Sequence, residues 1–411
     1  ASDVYKRQMY KRTGDRKILA DNYEMMQRWY AFLLGRAQQT TDEQQGGDYA
    51  KFTVLNGMDY GEWCEPGITP MQAMMNPRKS VGTAYLAYSG RLLAEVADEL
   101  GKADDAANYR DTAANAVKAY RAAFTENGVI HSDRQCEYVR AIAFALLGEE
   151  ESKAAAETLN RMVAENDYHL NTGFLSTPFL CDVLAKYGYA DTAYKLLLQP
   201  DTPGWLYEVR CGATTMWERW DSVRPDGSFD ESGMNSFNHY AFGAVGDWLL
   251  EQLVGIRPAE PGYRTITLQP QLIHGITQAC ALRTTPYGRV RLAWQCLNHL
   301  ITVEVEIPAN TTAQLFLPEQ EGSITLGSGS YQYSYATETD LTPQRFTMDT
   351  PLRTMLADAD AKAVLSAALP GMLDGPAAAF LAGKSFNDLK GMMPGGEALF
   401  AQLLTKLNQL C

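Results

Sequence analysis

The densest run of groups able to do chemistry lies between residues 202 and 249, TPGWLYEVRCGATTMWERWDSVRPDGSFDESGMNSFNHYAFGAVGDWL. Cleaving a glycosidic bond needs two carboxyl groups on opposite faces of a sugar, together with aromatic surfaces that stack on the C–H face of the ring. The stretch WERWD offers one such carboxylate in aromatic company. Glu218 stands between Trp217 and Trp220, a partly apolar setting suited to a general base. The plain alternative is an ordinary ion pair of Glu218 with Arg219, Arg210 or Arg224. His239 opens the last helical stretch, where a neutral imidazole can hydrogen-bond a sugar hydroxyl or simply serve as a cap or core residue. Asn235, Ser236 and Asn238 beside it read as caps.

A second cluster is the loop 52–70, in which Asp59, Glu62 and Glu65 surround Trp63 and glycines at 57, 61 and 67 permit sharp turns. Trp63 is read as a sugar-stacking side chain on a loop rim, against the alternative of a packed loop anchor. A third patch places His131, Asp133 and Gln135 at a helix entry, where N-capping by Ser132 or Asp133 is the simpler reading. The sequence has no HExxH, GxxxxGK[ST], EF-hand or GxSxG motif, so neither a metal nor another cofactor is expected.

These clusters sit in a chain of 411 residues, 46% of them hydrophobic, enough for a large core and more than one domain. A net charge of -13 and the lack of a basic stripe argue against a nucleic-acid partner. No apolar run reaches the roughly eighteen residues of a membrane span, so no membrane partner is expected. The seven cysteines are scattered without CxxC spacing and read as isolated thiols, which fits a reducing compartment. Nothing in the sequence fixes an oligomeric state. Residues 1–8, ASDVYKRQ, resemble translated sequencing adapter and are set aside from fold reasoning.

Apolar spacing from about Asp15 to Ile256 is helical, with helices expected over 16–37, 80–101, 105–124, 134–148, 151–165, 171–187, 189–199 and 233–254. Loops at 38–79 and 200–232 are too long to be mere connectors. Within pairs, one helix is rich in small and aromatic residues and the next is charged and amphipathic, the pattern of an inner and an outer layer. A closed ring of six hairpins needs twelve helices, about four more than these eight. At RPAEPGYRTITLQPQL the period changes to two, and the following ninety or so residues read as an antiparallel β-sandwich. From about Met348 helical spacing returns, broken at Pro370, Gly371, Gly375, Pro394 and Gly395. The expected domains are a helical one over 9–257, the sandwich over 258–347 and a small helical appendix over 348–411. Tyr287, Trp294 and Tyr331 in the sandwich are candidates for a sugar-stacking face, with core packing as the alternative.

GATTMWERWDSVRPDG followed by MNSFNHYAFGAVGDWLLEQLVGI and PGYRTITLQPQL resembles the bacterial α-L-rhamnosidases of glycoside hydrolase family 78, and HLNTGFLSTPFL, YKLLLQ and SVGTAYLAYSGRLLAEVADELG extend the likeness. The resemblance covers about residues 9 to 350 and implies a mainly α catalytic (α/α)6 barrel, here incomplete, followed by the sandwich and the appendix. It implies inverting hydrolysis of terminal α-linked L-rhamnose in an oligosaccharide or glycoside. Glu218 falls at the family's general base, and His239, twenty-one residues on, at its sugar-contacting histidine. Trp63 corresponds to the tryptophan of a YGDW-type loop, with Glu62 replacing aspartate. Trp217, Asp59 and Glu62 complete the expected sugar-binding set. The family's general acid belongs to an Arg, Asp/Glu, Arg segment followed by Gly-aromatic and Gly-Asp, and no such segment occurs in the sequence. The fragment is therefore expected to be poorly active or inactive alone. The alternatives are a toroid hydrolase or lyase acting on a different sugar, and a non-catalytic carbohydrate-binding fragment.

Overall fold

The computed structural model describes residues 2–40, 47–56, 59–75, 79–231, 234–341, 346–373, 376–392 and 395–408. Of the features read from the sequence, Gly57, Gly375, Pro394 and Cys411 lie outside them. The residues from 1 to 338, apart from 274–277, form one compact unit, and 274–277 with 339–411 form another.

The first unit begins with α1 (Ser2–Thr13), so residues 2–8 are the opening turns of a helix, and continues with α2 (Arg16–Gln38). Three antiparallel hairpins follow: α4 (Ser80–Glu99) with α5 (Ala103–Phe124), α6 (Gln135–Ala143) with α7 (Glu149–Glu165), and α8 (Thr177–Lys186) with α9 (Ala190–Leu197). The long loop before α4 carries a 3-10 turn, Gly47–Phe52, and the short helix α3 (Pro70–Met75). The two expected layers are visible in burial. In α4 Val81, Thr83, Ala84, Leu86, Ala87, Leu93 and Val96 are all buried, whereas α5 buries one stripe, Ala106, Tyr109, Ala113, Ala116 and Tyr120. Three glutamates, Glu149, Glu150 and Glu151, fill the first turn of α7, where the helix dipole favours them, and Glu151 accepts the Gly148 N–H at 2.7 Å.

Helix ends differ from expectation where backbone N–H groups find side-chain or cross-chain acceptors. The helix expected from 171 starts at Thr177, because Asn171 N–H donates to Gln135 Oε1 and the N–H groups of Gly173 and Ser176 donate to Glu62 Oε1. The one expected from 233 starts at Ala241, since residues 236 and 239 pair with the segment 216–218. It then runs as a 3-10 turn (Ala241–Ala244), α11 (Val245–Trp248) and a π-turn (Leu249–Val254). It stops at Gly255, whose φ of 92° is the left-handed conformation glycine adopts freely. Between the last hairpin and this helix lies α10 (Trp205–Arg210).

The sandwich consists of two four-stranded sheets. One has the order β1 (Ile256–Pro258), β2 (Thr265–Leu268), β6 (Thr312–Leu315), β7 (Ile324–Leu326); the other has β3 (Gln278–Thr285), β4 (Gly288–Leu297), β5 (Leu300–Ile307), β8 (Gly329–Ala336). The named pairings are antiparallel except β2 with β6, which is parallel. Asn298 and His299, both at positive φ, make the two-residue turn that joins β4 to β5. Val290, Leu292, Trp294 and Cys296 of β4 alternate into the core opposite Ile301, Val303 and Val305. Trp294 is thus interior, 2% exposed, and its indole N–H donates to Leu253 O at 2.9 Å. It ties the sandwich to the last helix and offers no face to a sugar.

The second unit contains α12 (Leu352–Leu356), α13 (Ala359–Ala368), α14 (Pro376–Leu381), α15 (Phe386–Leu389) and α16 (Gly396–Asn408) around Leu352, Met355, Leu365, Phe386, Phe400 and Leu403. Asp358 caps α13, and Ser385 with Asp388 forms a capping box on α15. No helix among the described residues is long and apolar enough to cross a membrane.

If Trp294 is an anchor and not a platform, Trp294→Ala removes a buried indole and its hydrogen bond, lowering stability by about 3–5 kcal/mol in urea unfolding followed by circular dichroism. A change within about 0.5 kcal/mol, the range of an ordinary surface substitution, would contradict the anchor role.

Candidate active site

The segment after α10 folds back on itself. Glu218 N–H donates to Ser236 O at 2.9 Å, Ser236 N–H donates to Glu218 Oε2 at 3.0 Å, and His239 N–H donates to Met216 O at 2.9 Å. Three bonds thereby hold 216–218 alongside 236–239. Glu218 is 8% exposed, and Oε1 makes no hydrogen bond among the described residues. Its neighbours in sequence are interior: Trp220 stacks on Phe242 at 4.0 Å and meets Trp205 edge-on, while Trp217 packs edge-on against Phe237. Trp217 is a buried wall beside the carboxylate, not an open stacking surface.

The arginines that might have neutralised Glu218 are engaged elsewhere. Arg219 pairs with Asp221 and Asp230, Arg224 with Asp230, and Arg210 with Asp201.

His239 accepts the N–H of Ala241, the first residue of the 3-10 turn, at Nδ1, 3.3 Å away, so the ring's N–H is on Nε2. The imidazole lies between aromatic faces, Phe174 at 4.7 Å and Tyr240 at 5.6 Å. Phe174 also links it to the 52–70 loop, because its N–H donates to Trp63 O at 2.9 Å. Trp63 is half-buried, with the exposed Tyr60 edge-on at 5.1 Å. The next residue, Cys64, takes a left-handed φ of 55° and reaches the field of Glu218: burial first, and then the Glu218 carboxylate, push its thiol up to about 12. The segments carrying Glu218, His239 and Trp63 therefore adjoin one another.

The two acids expected to bind sugar beside Trp63 have other partners. Asp59 takes both guanidinium nitrogens of Arg36, at 2.9 and 3.0 Å. Glu62 is interior rather than on the rim: Arg140, the Ser176 hydroxyl and the N–H groups of Gly173 and Ser176 all donate to its two oxygens. With both oxygens filled by protein donors, neither is left for a hydroxyl. In the third patch Ser132 Oγ accepts the Arg134 N–H, His131 stays exposed near Glu126, and Gln135 exchanges hydrogen bonds with Asn171. Among the described residues no three His, Cys, Asp or Glu side chains are grouped to hold a metal ion. Among the described residues Cys64, Cys136, Cys181, Cys211, Cys280 and Cys296 form no disulfide.

Sequence reasoning missed one acid altogether. Glu208 of α10 is 2% exposed; its Oε2 accepts the Trp217 N–H at 3.2 Å, and its Oε1 is buried with no partner among the described residues. Burial pushes this carboxyl up to about 7, against the Trp217 hydrogen bond. In WLYEVR it looks like any helix-surface glutamate, and only packing of the WERWD segment over α10 buries it.

Residues 4–253 match the family model described as the bacterial alpha-L-rhamnosidase 6 hairpin glycosidase domain, and residues 255–332 that of the bacterial alpha-L-rhamnosidase C-terminal domain. An alpha-L-rhamnosidase of Formosa agariphila is 38% identical over 313 residues, 75% of this chain and 32% of that protein. One from Streptomyces avermitilis is 37% identical over 312 residues, 75% of this chain and 28% of that protein. The chain thus spans about a third of the length of these curated relatives. Among solved structures, the Streptomyces avermitilis alpha-L-rhamnosidase complexed with L-rhamnose superposes with a TM-score of 0.70 at 34% identity, covering 80% of this chain and 32% of the other. The native enzyme from Aspergillus terreus gives 0.73 at 32% identity, covering 80% and 38%.

The raised carboxyl of Glu208 carries a pH signature. Between about 4.5 and 7 the native state keeps a proton that the unfolded chain has released, so the native state binds more protons and loses stability as pH rises through that window. Glu208→Gln keeps an acceptor for Trp217 and removes the titration. Its melting temperature is expected to match the parent near pH 5 and to exceed it by a few degrees at pH 8. An offset independent of pH would show that Glu208 is ionised throughout.

Proposed function

The chain belongs to the bacterial α-L-rhamnosidase six-hairpin glycosidase family, and from that premise we propose that it supplies the water-activating half of an inverting site for terminal α-linked L-rhamnose. Glu218 is the general base. What supports this is its carboxylate: held by one oxygen to Ser236, unpaired with any arginine among the described residues, flanked by Trp217 and Trp220, and adjoining the Trp63 and His239 segments.

In an inverting displacement a carboxylate draws the proton from a water as it attacks the anomeric carbon, while an acid on the other face protonates the departing oxygen. The oxygen of Glu218 that is free of Ser236 receives that proton. His239 donates from Nε2 to a ring hydroxyl, and Trp63 covers the C–H face of the sugar. Trp217 backs the carboxylate and keeps bulk water from its inner side. Asp59 and Glu62 serve through the loop they brace.

The proton donor is not supplied by these residues. Nothing in the sequence matches the acid segment that the family resemblance calls for, and the carboxyl groups of an inverting pair stand about 6.5–9.5 Å apart. The polypeptide made alone therefore hydrolyses rhamnosides poorly or not at all.

The test is turnover of an aryl α-L-rhamnoside by the pure chain. No rate above the blank is expected; measurable turnover abolished by Glu218→Gln would overturn the division of the site. In any form of the protein that also carries the family's acid segment, Glu218→Gln should lower kcat by roughly 10²–10⁴-fold. A panel of aryl glycosides on that form should favour the 6-deoxy-L-sugar, and preference for another sugar would move the assignment to a different toroid hydrolase.

A further inference from the structure

We propose that Arg140, through its buried ion pair with Glu62, is the positioning residue of the sugar site, fixing where Trp63 and the His239 ring stand relative to Glu218. This rests on the sugar-site reading above, but its geometry stands apart from it.

Glu62 and Arg140 have side chains with 0% exposure, 2.7 Å apart between Oε2 and Nη1. Arg140 Nη2 reaches Glu137 Oε1 at 2.9 Å, and the Ser80 hydroxyl donates to Glu137 Oε2 at 2.7 Å. One planar guanidinium thus bridges two carboxylates, a task a point-charge ammonium does poorly. On the far side of Trp63, Glu65 Oε1 meets Arg134 Nε at 3.0 Å. Both acids flanking the Trp63–Cys64 pair are therefore pinned by arginines of one short stretch, 134–140, Arg134 at the N-cap of α6 and Arg140 within it.

From Glu62 the connection continues outward. Its Oε1 accepts from Gly173 and Ser176 at 2.9 Å each, and its Oε2 accepts from the Ser176 hydroxyl at 2.8 Å, which fixes the turn before α8. That turn returns the contact, since Phe174 N–H donates to Trp63 O at 2.9 Å. The approach is so close that a Cβ on residue 173 would lie 2.2 Å from Trp63 O, so only glycine fits there. The Phe174 ring then stacks on His239. Arg140 is thereby linked to Trp63 and His239 by way of one carboxylate, whereas Glu218 is anchored separately by Ser236.

A buried ion pair contributes little net stability against apolar residues of like size, because desolvating both charges offsets their attraction. Here burial pushes the Glu62 carboxyl up against the pull of Arg140 and Ser176. The pair makes physical sense as a device for geometry. Removing Arg140 alone leaves a carboxylate that must take a proton or move toward water, pulling the Trp63 loop with it.

The experiment compares Arg140→Met with the double variant Arg140→Met, Glu62→Gln, in which both charges of the Glu62–Arg140 pair are gone, Glu137 keeps the Ser80 hydroxyl, and an acceptor for Gly173 and Ser176 remains. Trp63 is followed by acrylamide quenching, taking the difference between each protein and its Trp63→Phe counterpart, and L-rhamnose binding by fluorescence titration. In Arg140→Met, Trp63 should become markedly more quenchable and rhamnose affinity should fall roughly tenfold or more, the scale of a misplaced site; the double variant should recover both. Should Arg140→Met fail to fold, Arg140→Lys takes its place with the same expectation. Quenching unchanged from the parent in a folded Arg140 variant, or not recovered in the double variant, overturns the proposal. A parent chain that does not bind rhamnose at all would sink the sugar-site reading, while the quenching comparison would still decide the positioning role.

Discussion

Glu218 and Ser236 hold each other by two hydrogen bonds, one through the backbone of Glu218 and one through its carboxylate, and that pairing shapes the whole site. Residues 234–240 are kept out of the helix that would otherwise begin there, so His239 is presented at the head of a 3-10 turn instead of along a helix flank. The same pairing turns Trp217 and Trp220 inward against Phe237 and Phe242. With one oxygen tethered and no arginine beside it among the described residues, the carboxylate keeps its other oxygen open.

The second constraint is electrostatic. Glu62 and Glu208 are both buried near the site, but they are stabilised differently. Among the described residues Glu62 has four donors, one of them charged, while Glu208 has a single amide and an orphan oxygen, and its carboxyl rises to about 7. The rule that buried charges need partners explains why the first can brace a loop as an ion and why the second is easiest to bury as a neutral acid. Cys64 follows the same logic: burial and the adjacent carboxylate keep it a thiol, so it does not serve as a nucleophile near neutral pH.

Much of this was legible in the sequence. The helices at 16–38, 80–99 and 103–124 follow from apolar spacing almost to the residue, and the change of period near 257 marks the sandwich. WERWD and the Trp63 loop stood out because aromatics and carboxylates crowd there. Partners distant in the chain did not stand out. Glu62 looked like a rim acid because its neighbours are loop residues, yet its partner Arg140 is far along the chain and set by tertiary packing. A weak signal existed in EYVRAIAFALL, where a lone arginine inside an apolar inner helix calls for a buried counter-charge. Local pattern also cannot show that Glu62 captures the amides of 173 and 176 and shortens α8, since that competition is decided by a loop more than a hundred residues away.

The role of Glu218 is tested most directly by the crystal structure of this chain soaked with L-rhamnose. In an inverting hydrolysis the product's anomeric hydroxyl derives from the water the base activated, so the β-anomer should lie between Trp63 and His239 with that hydroxyl about 2.6–3.2 Å from the Glu218 carboxylate. Sugar bound elsewhere on the chain, or bound here with Glu218 out of reach of the anomeric hydroxyl, would contradict it.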